Sequence, residues 1–193
     1  MILAVTVGLA TGLSIWLFRL SIEAFHIFFF EVLQHDVLGA LGPFSVVLAL
    51  GLAGYVVGLL MQRFVGEERH HGVAGIMEAV ALSGGRLRYT RMPFKALASA
   101  LSLGAGASVG PEDPSVQIGS NLGSMFGQRL ALSEERISLL VASGAASAIA
   151  AAFNAPIAGV FFALEVVLGE FTTRAFGVVV LAAVLASVIT QAL

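Results

Sequence analysis

The stretch Gly106-Ala-Ser-Val-Gly-Pro-Glu112-Asp-Pro-Ser-Val-Gln-Ile-Gly119 places a carboxylate among helix-start residues, between two long apolar segments. An acidic side chain in the hydrocarbon region of a membrane costs roughly 2.5–3.5 kcal/mol on insertion scales and usually marks an ion or proton path. Pro114 suits the first turn of a helix that starts near Asp113, and the N–H groups at such a start would bind an anion. Glu112 would compete with that anion as a tethered negative group.

The composition is that of a membrane protein. Of the 193 residues, 58% are hydrophobic and only 11% are charged, so the lipid bilayer is the expected solvent. Several of the charge-free runs reach the roughly 20 residues that a membrane-spanning helix needs. These runs cover residues 1–18, 37–62, 96–111, 137–164 and 175–193. We therefore predict an all-α, multi-pass integral membrane protein, located in the plasma or inner membrane of the cell.

Other apolar segments are too short to span a membrane alone and are interrupted by Gly, Pro or charge. This pattern is typical of broken helices that meet inside the membrane. The segments lie at about 75–83, 114–127 and 155–164. One transmembrane region is expected over residues 1–193, without a soluble domain. It comprises long helices over about 3–33 and 44–64, a broken-helix region over about 73–128, and helices over about 133–192.

Helix boundaries are indicated by residues that favour turns and helix starts. Ser133, followed by two glutamates, matches an N-cap with an acidic first turn, and Asn154-Ala-Pro156 places proline inside a helix start. A turn is expected at Gly39 to Pro43 and a charged link at Gly66 to Gly72. The small residues of Gly144-Ala-Ala-Ser-Ala-Ile-Ala-Ala-Ala152 would let helices approach closely in lipid.

The charged residues indicate orientation more than partners. The net charge is −2, and we expect no nucleic-acid partner. Six of the ten basic residues lie between positions 63 and 95, which favours the cytoplasm for those loops; they are Arg63, Arg69, Arg86, Arg88, Arg91 and Lys95. The chain has no cysteine, which excludes disulfides, thiolate metal sites and cysteine nucleophiles. The apolar start lacks a basic n-region and a cleavage site, and we interpret it as a retained helix.

Three segments, in the same order, resemble signatures of the CLC family of chloride channels and chloride/proton exchangers. Gly110-Pro-Glu112-Asp-Pro114, followed by Val116-Gln-Ile-Gly119, corresponds to the family's Gly-x-Glu-Gly-Pro signature and the run after it. Phe153-Asn-Ala-Pro156-Ile-Ala-Gly159 corresponds to its Phe-Asn-Ala-Pro-Leu-Ala-Gly helix start. Val73-Ala-Gly75-Ile-Met-Glu78 matches its Gly-Ser-Gly-Ile-Pro-Glu loop more loosely. The resemblance covers nearly the whole chain.

The resemblance implies a CLC-type broken-helix bundle, of which this chain is the first, amino-terminal of two inverted-topology halves. It also implies a homodimer with separate pores, and a carboxy-terminal half of the pore in the same or another chain. By the same resemblance, Glu112 is the gating glutamate. The implied anion ligands are backbone groups, and they belong to Ala74, Gly75, Ile76, Asp113, Pro114 and Ser115.

Three positions depart from the family's pattern. Asp113 replaces the usual glycine and adds negative charge beside the anion path, which is expected to weaken anion binding. Ala74 replaces a serine whose hydroxyl helps to set halide preference, so anion conduction is more securely implied than chloride specificity. Val166 stands where proton-coupled exchangers commonly carry an inner glutamate, which favours a channel. Glu165, one position earlier, is the candidate residue for a proton path.

The carboxylates also have structural interpretations. At a helix start, Glu112 would complement the helix dipole without any transport role. Asp113 would serve as an N-cap carboxylate that accepts hydrogen bonds from backbone N–H groups. Glu165 would either pair with Arg174 or face an aqueous vestibule.

Gly106-Ala-Ser108-Val-Gly110 fits the Gly-x-Ser-x-Gly pattern of a serine hydrolase, which needs a strand before it and a triad base. An apolar helix is expected before it, and no histidine follows it in the chain. We therefore expect no enzyme. His70 and His71 lie in the charged link and are interpreted as solvated or interfacial side chains, through which pH could act.

These residues predict a protein that moves small anions, chloride first among them, as a glutamate-gated, voltage-sensitive CLC-type channel. No cofactor is expected apart from the transported chloride ion, and membrane lipid surrounds the protein. Two alternatives stay open. The first is a chloride/proton antiporter of the same family, which coupled proton movement would favour. The second is a non-conducting assembly fragment that needs its second half, which absence of flux from this chain alone would favour.

Overall fold

The chain folds almost entirely into helices. This computed structural model describes the backbone of residues 1–37, 44–66 and 72–193, and the side chains of those residues except 34–37. Helices account for 86% of the structure, and the described residues contain no strand, which confirms the all-α prediction. The turn predicted at Gly39 to Pro43 and the side chains of His70 and His71 lie outside the described residues.

Eight α-helices are found in the described residues, and they are α1 (Ile2–Ile27), α2 (Phe44–Leu60), α3 (Gly72–Ser83), α4 (Met92–Gly104), α5 (Glu112–Arg129), α6 (Glu134–Phe153), α7 (Pro156–Phe162) and α8 (Thr173–Ala192). Three π-helical segments continue α1, α2 and α7, and they are Phe28–Val37, Met61–Val65 and Ala163–Leu168. A short 3-10 helix, Tyr89–Arg91, precedes α4.

Four helical stretches are long and apolar enough to cross a membrane, and they are Ile2–Leu33, Phe44–Val65, Glu134–Phe153 and Thr173–Ala192. Two other apolar helices are shorter, Gly72–Ser83 and Pro156–Leu168. A helix of 12 residues, the length of α3, extends only about 18 Å, whereas the hydrocarbon core is about 30 Å thick. α3 therefore cannot cross a bilayer by itself.

Proline and left-handed residues mark several helix ends. Pro156 begins α7, as predicted, because proline lacks the N–H that a helix start leaves unbonded. α6 ends at Asn154, with a left-handed φ of 53°, and the π-helical segment after α7 ends at Gly169, with φ of 67°. Ser133 has the extended backbone of an N-cap, but its side chain makes no capping hydrogen bond. The N-cap position and the acidic first turn are therefore confirmed, without a capping side chain.

The described residues form two compact units, and the first comprises residues 1–16, 72–92 and 112–193. α6 is its central helix, since Val141, Ala145 and Ala146 are fully buried and α5, α7 and α8 pack around it. Small side chains let neighbouring helices approach closely, and close packing is the main source of helix association in lipid.

Three glycines on one face of α5 bring that helix against α6. Gly119, Gly123 and Gly127 recur every four residues, so they lie on the same side of the helix. A Cβ added to Gly119 would overlap the backbone of Gly144, and one added to Gly123 would overlap the carbonyl group of Leu140. The glycines therefore permit an approach of the two backbones that any side chain would block.

The second unit comprises residues 17–66, where described, and 93–111. Its buried core is small and consists of Phe29, Ala49, Ala53, Leu101 and Ala105. The rings of Phe64 and Phe94 stack with their centroids 4.5 Å apart. α2 exposes many large apolar side chains, as expected for a helix that faces lipid or another protein surface.

Candidate functional site

One aspartate joins the starts of α3 and α5 within the first unit. Asp113, the second residue of α5, accepts a hydrogen bond through Oδ1 from the backbone N–H of Val73, at 2.9 Å. Its Oδ2 accepts a hydrogen bond from Nε2 of Gln117, one turn further along α5, at 2.7 Å. Val73 is the second residue of α3, so its N–H has no partner within its own helix. Asp113 therefore supplies a partner for the start of α3.

Gly72 makes room for this contact. Its φ is 71°, a left-handed conformation that L side chains rarely adopt, and an added Cβ would meet the Asp113 carboxylate. The N-cap interpretation of Asp113 is thus right about the type of hydrogen bond, because a carboxylate accepts from a helix-start N–H. The bound N–H belongs to α3 and not to α5, the helix in whose first turn Asp113 lies.

Glu112 has different surroundings from its neighbour. It is the first residue of α5, its side chain is exposed, and it makes no hydrogen bond or ion pair with another described residue. The two consecutive carboxylates therefore differ, because both oxygens of Asp113 accept hydrogen bonds while Glu112 has no partner among the described residues.

The backbone groups assigned as anion ligands lie in the first turns of the same two helices. Ala74 and Gly75 are the third and fourth residues of α3, close to its unbonded N–H groups. Ile76 is the fifth, and an N–H at that position bonds within the helix. Ser115 is buried near the start of α5. Pro114 has no N–H, so it offers no backbone donor to an anion, and the assignment of this residue as a ligand does not fit its chemistry.

The π-helical segment that follows α7 packs against α3. Ile76 of α3, Val116 of α5 and Leu164 of the π-helical segment belong to one buried core cluster. Glu165 directly follows Leu164, and its side chain is exposed. The fold thus brings the segment that carries the candidate proton-path residue next to α3, and the Glu165 side chain is exposed.

The polar face of α5 also holds the link that follows α3. Oγ of Ser124 donates a hydrogen bond to the carbonyl oxygen of Gly85 at 2.6 Å and accepts one from the N–H of Leu87 at 2.9 Å. Nε2 of Gln128 donates to the carbonyl oxygen of Leu87 at 2.9 Å. Together with Asp113, these side chains hydrogen bond α5 to the first turn of α3 and to the link that follows α3.

Charged side chains gather around the first turns of α6 and α8. Arg174 forms an ion pair with Glu135, with 3.6 Å between N and O, and both side chains are largely exposed. Exposed pairs of this kind contribute little to stability. The alternative pairing of Arg174 with Glu165 is not found among the described residues. In the part of the chain that the structure describes, no group of three or more His, Asp or Glu side chains is placed to hold a metal ion.

The hydrogen bond between Asp113 and Val73 was not predicted, because it joins residues 40 positions apart and local sequence does not show which helix starts meet. A partial signal is present in the replacement of a signature glycine by Asp113. The spacing of Gly119, Gly123 and Gly127 is visible in the sequence, and it indicates a face for close helix packing.

The chain resembles known proteins over most or all of its length. The family described as voltage gated chloride channel matches residues 51–193. The voltage-gated ClC-type chloride channel ClcB of Yersinia pseudotuberculosis is 30% identical over 199 residues, which cover 100% of this chain and 48% of that protein.

Solved structures show the same fold. A slow cyanobacterial Cl⁻/H⁺ antiporter superimposes with a TM-score of 0.80 at 28% identity, covering 100% of this chain and 46% of that chain. A CLC-type fluoride/proton antiporter gives a TM-score of 0.76 at 27% identity, covering 98% of this chain and 45% of that chain. The chain thus spans about half the length of these proteins.

Proposed function

Because the chain belongs to the voltage-gated chloride channel (CLC) family, as its motifs predicted, we propose that it supplies one half of a pore for small anions. The family and the apolar helices make it an integral membrane protein. Chloride is the first candidate anion, since the ClcB relative is named for chloride. Fluoride is a second candidate to test, because one structural neighbour is a fluoride/proton antiporter. We place the protein in the plasma or inner membrane.

The observation that carries this proposal is the exposed carboxylate of Glu112 at the first residue of α5. An anion that enters the membrane loses its hydration shell, and the N–H groups of a helix start replace part of that shell without a cationic side chain. Glu112 is tethered to the same helix start and competes with the anion for those groups. Protonation or displacement of the side chain then opens the path, so Glu112 acts as the gate.

We propose uncoupled conduction as the mode of transport. A coupled exchanger must carry protons through titratable side chains, and the position after Glu165 is occupied by Val166, which cannot bind a proton. An anion that crosses the membrane is also driven by the potential, at about 2.3 kcal/mol per charge per 100 mV. Opening that is linked to anion or carboxylate displacement would therefore depend on voltage.

Proton-coupled exchange is the second candidate. It is favoured by the two structural neighbours that are described as antiporters. Glu165 is available for a proton role because its side chain is exposed, on a segment that packs against α3. In this case Glu165 would take and release the proton that moves against the anion.

Flux and pH measurements on liposomes distinguish these modes. The natively assembled protein is reconstituted, and the efflux of chloride, fluoride and nitrate is followed together with the internal pH. Uncoupled conduction predicts anion efflux without proton movement. If protons move with the anion, Glu165→Gln should stop their movement, whereas Glu170→Gln, a change at a nearby exposed carboxylate, should not. Absence of any anion flux would contradict the proposal.

The proposed assembly is a homodimer in which each pore needs a carboxy-terminal half, supplied by the same or another chain. The coverage of about half of each solved relative supports the need for a second half. Reconstitution of this chain alone provides the test. Flux from the chain alone would show that two copies can complete a pore, and flux only from the native assembly would show that a distinct second half is needed.

A further inference from the structure

The bridge between α3 and α5 gives Asp113 a function beyond helix packing, and this inference rests on the proposed anion pore. We infer that Asp113 sets the anion affinity of the site. Its carboxylate occupies the start of α3 as a built-in anion, so that a transported anion is confined to the start of α5, beside Glu112. Asp113 thus affects anion affinity rather than acting as a gate, because its position is fixed.

The contacts of Asp113 fix the carboxylate in place. Oδ1 is bound by the N–H of Val73 at 2.9 Å and Oδ2 by Nε2 of Gln117 at 2.7 Å. Hydrogen bonds from a neutral donor to a carboxylate are about twice as strong as those between neutral groups. A carboxylate on a helix-start N–H also makes the contact that such a start would offer to a free anion. The N–H of Val73 at the start of α3 is therefore already occupied.

Neighbouring residues of α3 agree with this assignment. Gly72 has no side chain to block the carboxylate, and its left-handed φ of 71° suits glycine. Ala74 offers no hydroxyl group that could hold a second anion. Ile76 is 2% exposed and turns its side chain into the core. α3 thus serves to hold Asp113 and to support α5.

The charge of Asp113 has a direct effect on any anion at the start of α5. A like charge weakens anion binding by about fivefold at a separation of about 4 Å in water-like surroundings, and by less as the separation grows. Conduction requires binding that is strong enough for entry and weak enough for release. A fixed carboxylate beside the path therefore favours rapid release of the anion.

The test is titration calorimetry of the natively assembled protein in detergent, with sodium chloride and sodium bromide as probes. Asp113→Asn removes the charge and keeps an oxygen that can accept from Val73. We expect this variant to bind chloride more tightly than the unmodified protein, on the order of fivefold, by the charge effect above. Asp113→Gly, the residue of the family signature, is the second variant in case the first does not fold. Glu170→Gln removes a surface charge and should leave affinity unchanged.

Unchanged or weaker chloride affinity in a folded Asp113 variant would overturn the inference, as would an equal gain in Glu170→Gln. Failure of every variant to bind either halide would also overturn it. Flux measured on the same preparations separates this result from the proposed function. Tighter binding in Asp113→Asn, without flux from any preparation, would support the role of Asp113 and reject transport.

Discussion

At the scale of single residues, two consecutive carboxylates have opposite properties. Asp113 has both oxygens bound, and Glu112 has no partner among the described residues. A charged group inside a membrane is tolerated when donors surround it, and it otherwise depends on water or on an ion pathway. The contrast explains why we assign a static role to Asp113 and a moving role to Glu112.

Gly72→Ala should weaken the bridge at Asp113. The new Cβ would meet the carboxylate, and the left-handed backbone of an alanine costs about 1–2 kcal/mol. Gly169→Ala is a matched control, since Gly169 has a φ of 67° but no atom within 4 Å of an added Cβ. Thermal unfolding in detergent should show a loss in both variants and a larger loss in Gly72→Ala. Equal losses would mean that the contact at Asp113 adds nothing to stability.

At the scale of helices, α5 has two specialised faces. Its glycine face lies against α6, and its polar face bonds to the first turn of α3 and to the link behind it. In lipid, helices associate through close packing and through hydrogen bonds between them. α5 packs closely against α6 on one side and makes hydrogen bonds to α3 and its link on the other. These contacts place the amino-terminal end of α5 at a defined position.

Gly123→Ala should disrupt the contact between α5 and α6. The added methyl group would overlap the carbonyl group of Leu140, and overpacking of this kind typically costs about 1–3 kcal/mol. Gly51→Ala in α2 is the control, because nothing lies within 4 Å of its added Cβ. In a titration with denaturing detergent, the midpoint of unfolding should move to a lower detergent fraction for Gly123→Ala and stay unchanged for Gly51→Ala. An unchanged midpoint would mean that the helices are not in close contact at this position.

Features of these helices that depend on neighbouring residues can be predicted from the sequence, and features that depend on distant residues cannot. Pro156 marks the start of α7 because its effect is local, and the long apolar runs predict the spanning helices for the same reason. The π-helical segments, such as Ala163–Leu168, have no comparable local signal. The bond from Asp113 to Val73 depends on how distant helix starts pack, so a single sequence predicts its chemistry but not its partner.

At the scale of the molecule, the first unit has two distinguishable ends. Gly84 lies next to Glu134 at the start of α6, and Gln191 of α8 hydrogen bonds to Asn154 just after the end of α6. Because α6 has 20 residues and is about 30 Å long, the link at 84–88 and Gln191 lie at opposite ends of a membrane-length helix. The basic residues of this link favour the cytoplasm for its end.

The absence of cysteine makes this orientation easy to test. Arg88→Cys and Gln191→Cys each introduce one thiol at an exposed position, at opposite ends of α6. We expect a membrane-impermeant maleimide to label Arg88→Cys only in inside-out membrane vesicles and Gln191→Cys only in spheroplasts. The reverse pattern would show the opposite orientation, and labelling of both from one side would contradict the assignment of α6 as a membrane-spanning helix.

The central claim is that small anions pass the start of α5 under the control of Glu112. Its most direct test is chloride efflux from liposomes containing the natively assembled protein, compared with Glu112→Gln and with Glu170→Gln as the control, over a range of pH. Glu112→Gln removes the competing charge, so efflux should rise about tenfold, as for a barrier lowered by about 1.4 kcal/mol, and should lose its dependence on pH. Efflux from Glu112→Gln that matches the unmodified protein in rate and pH dependence would contradict the claim.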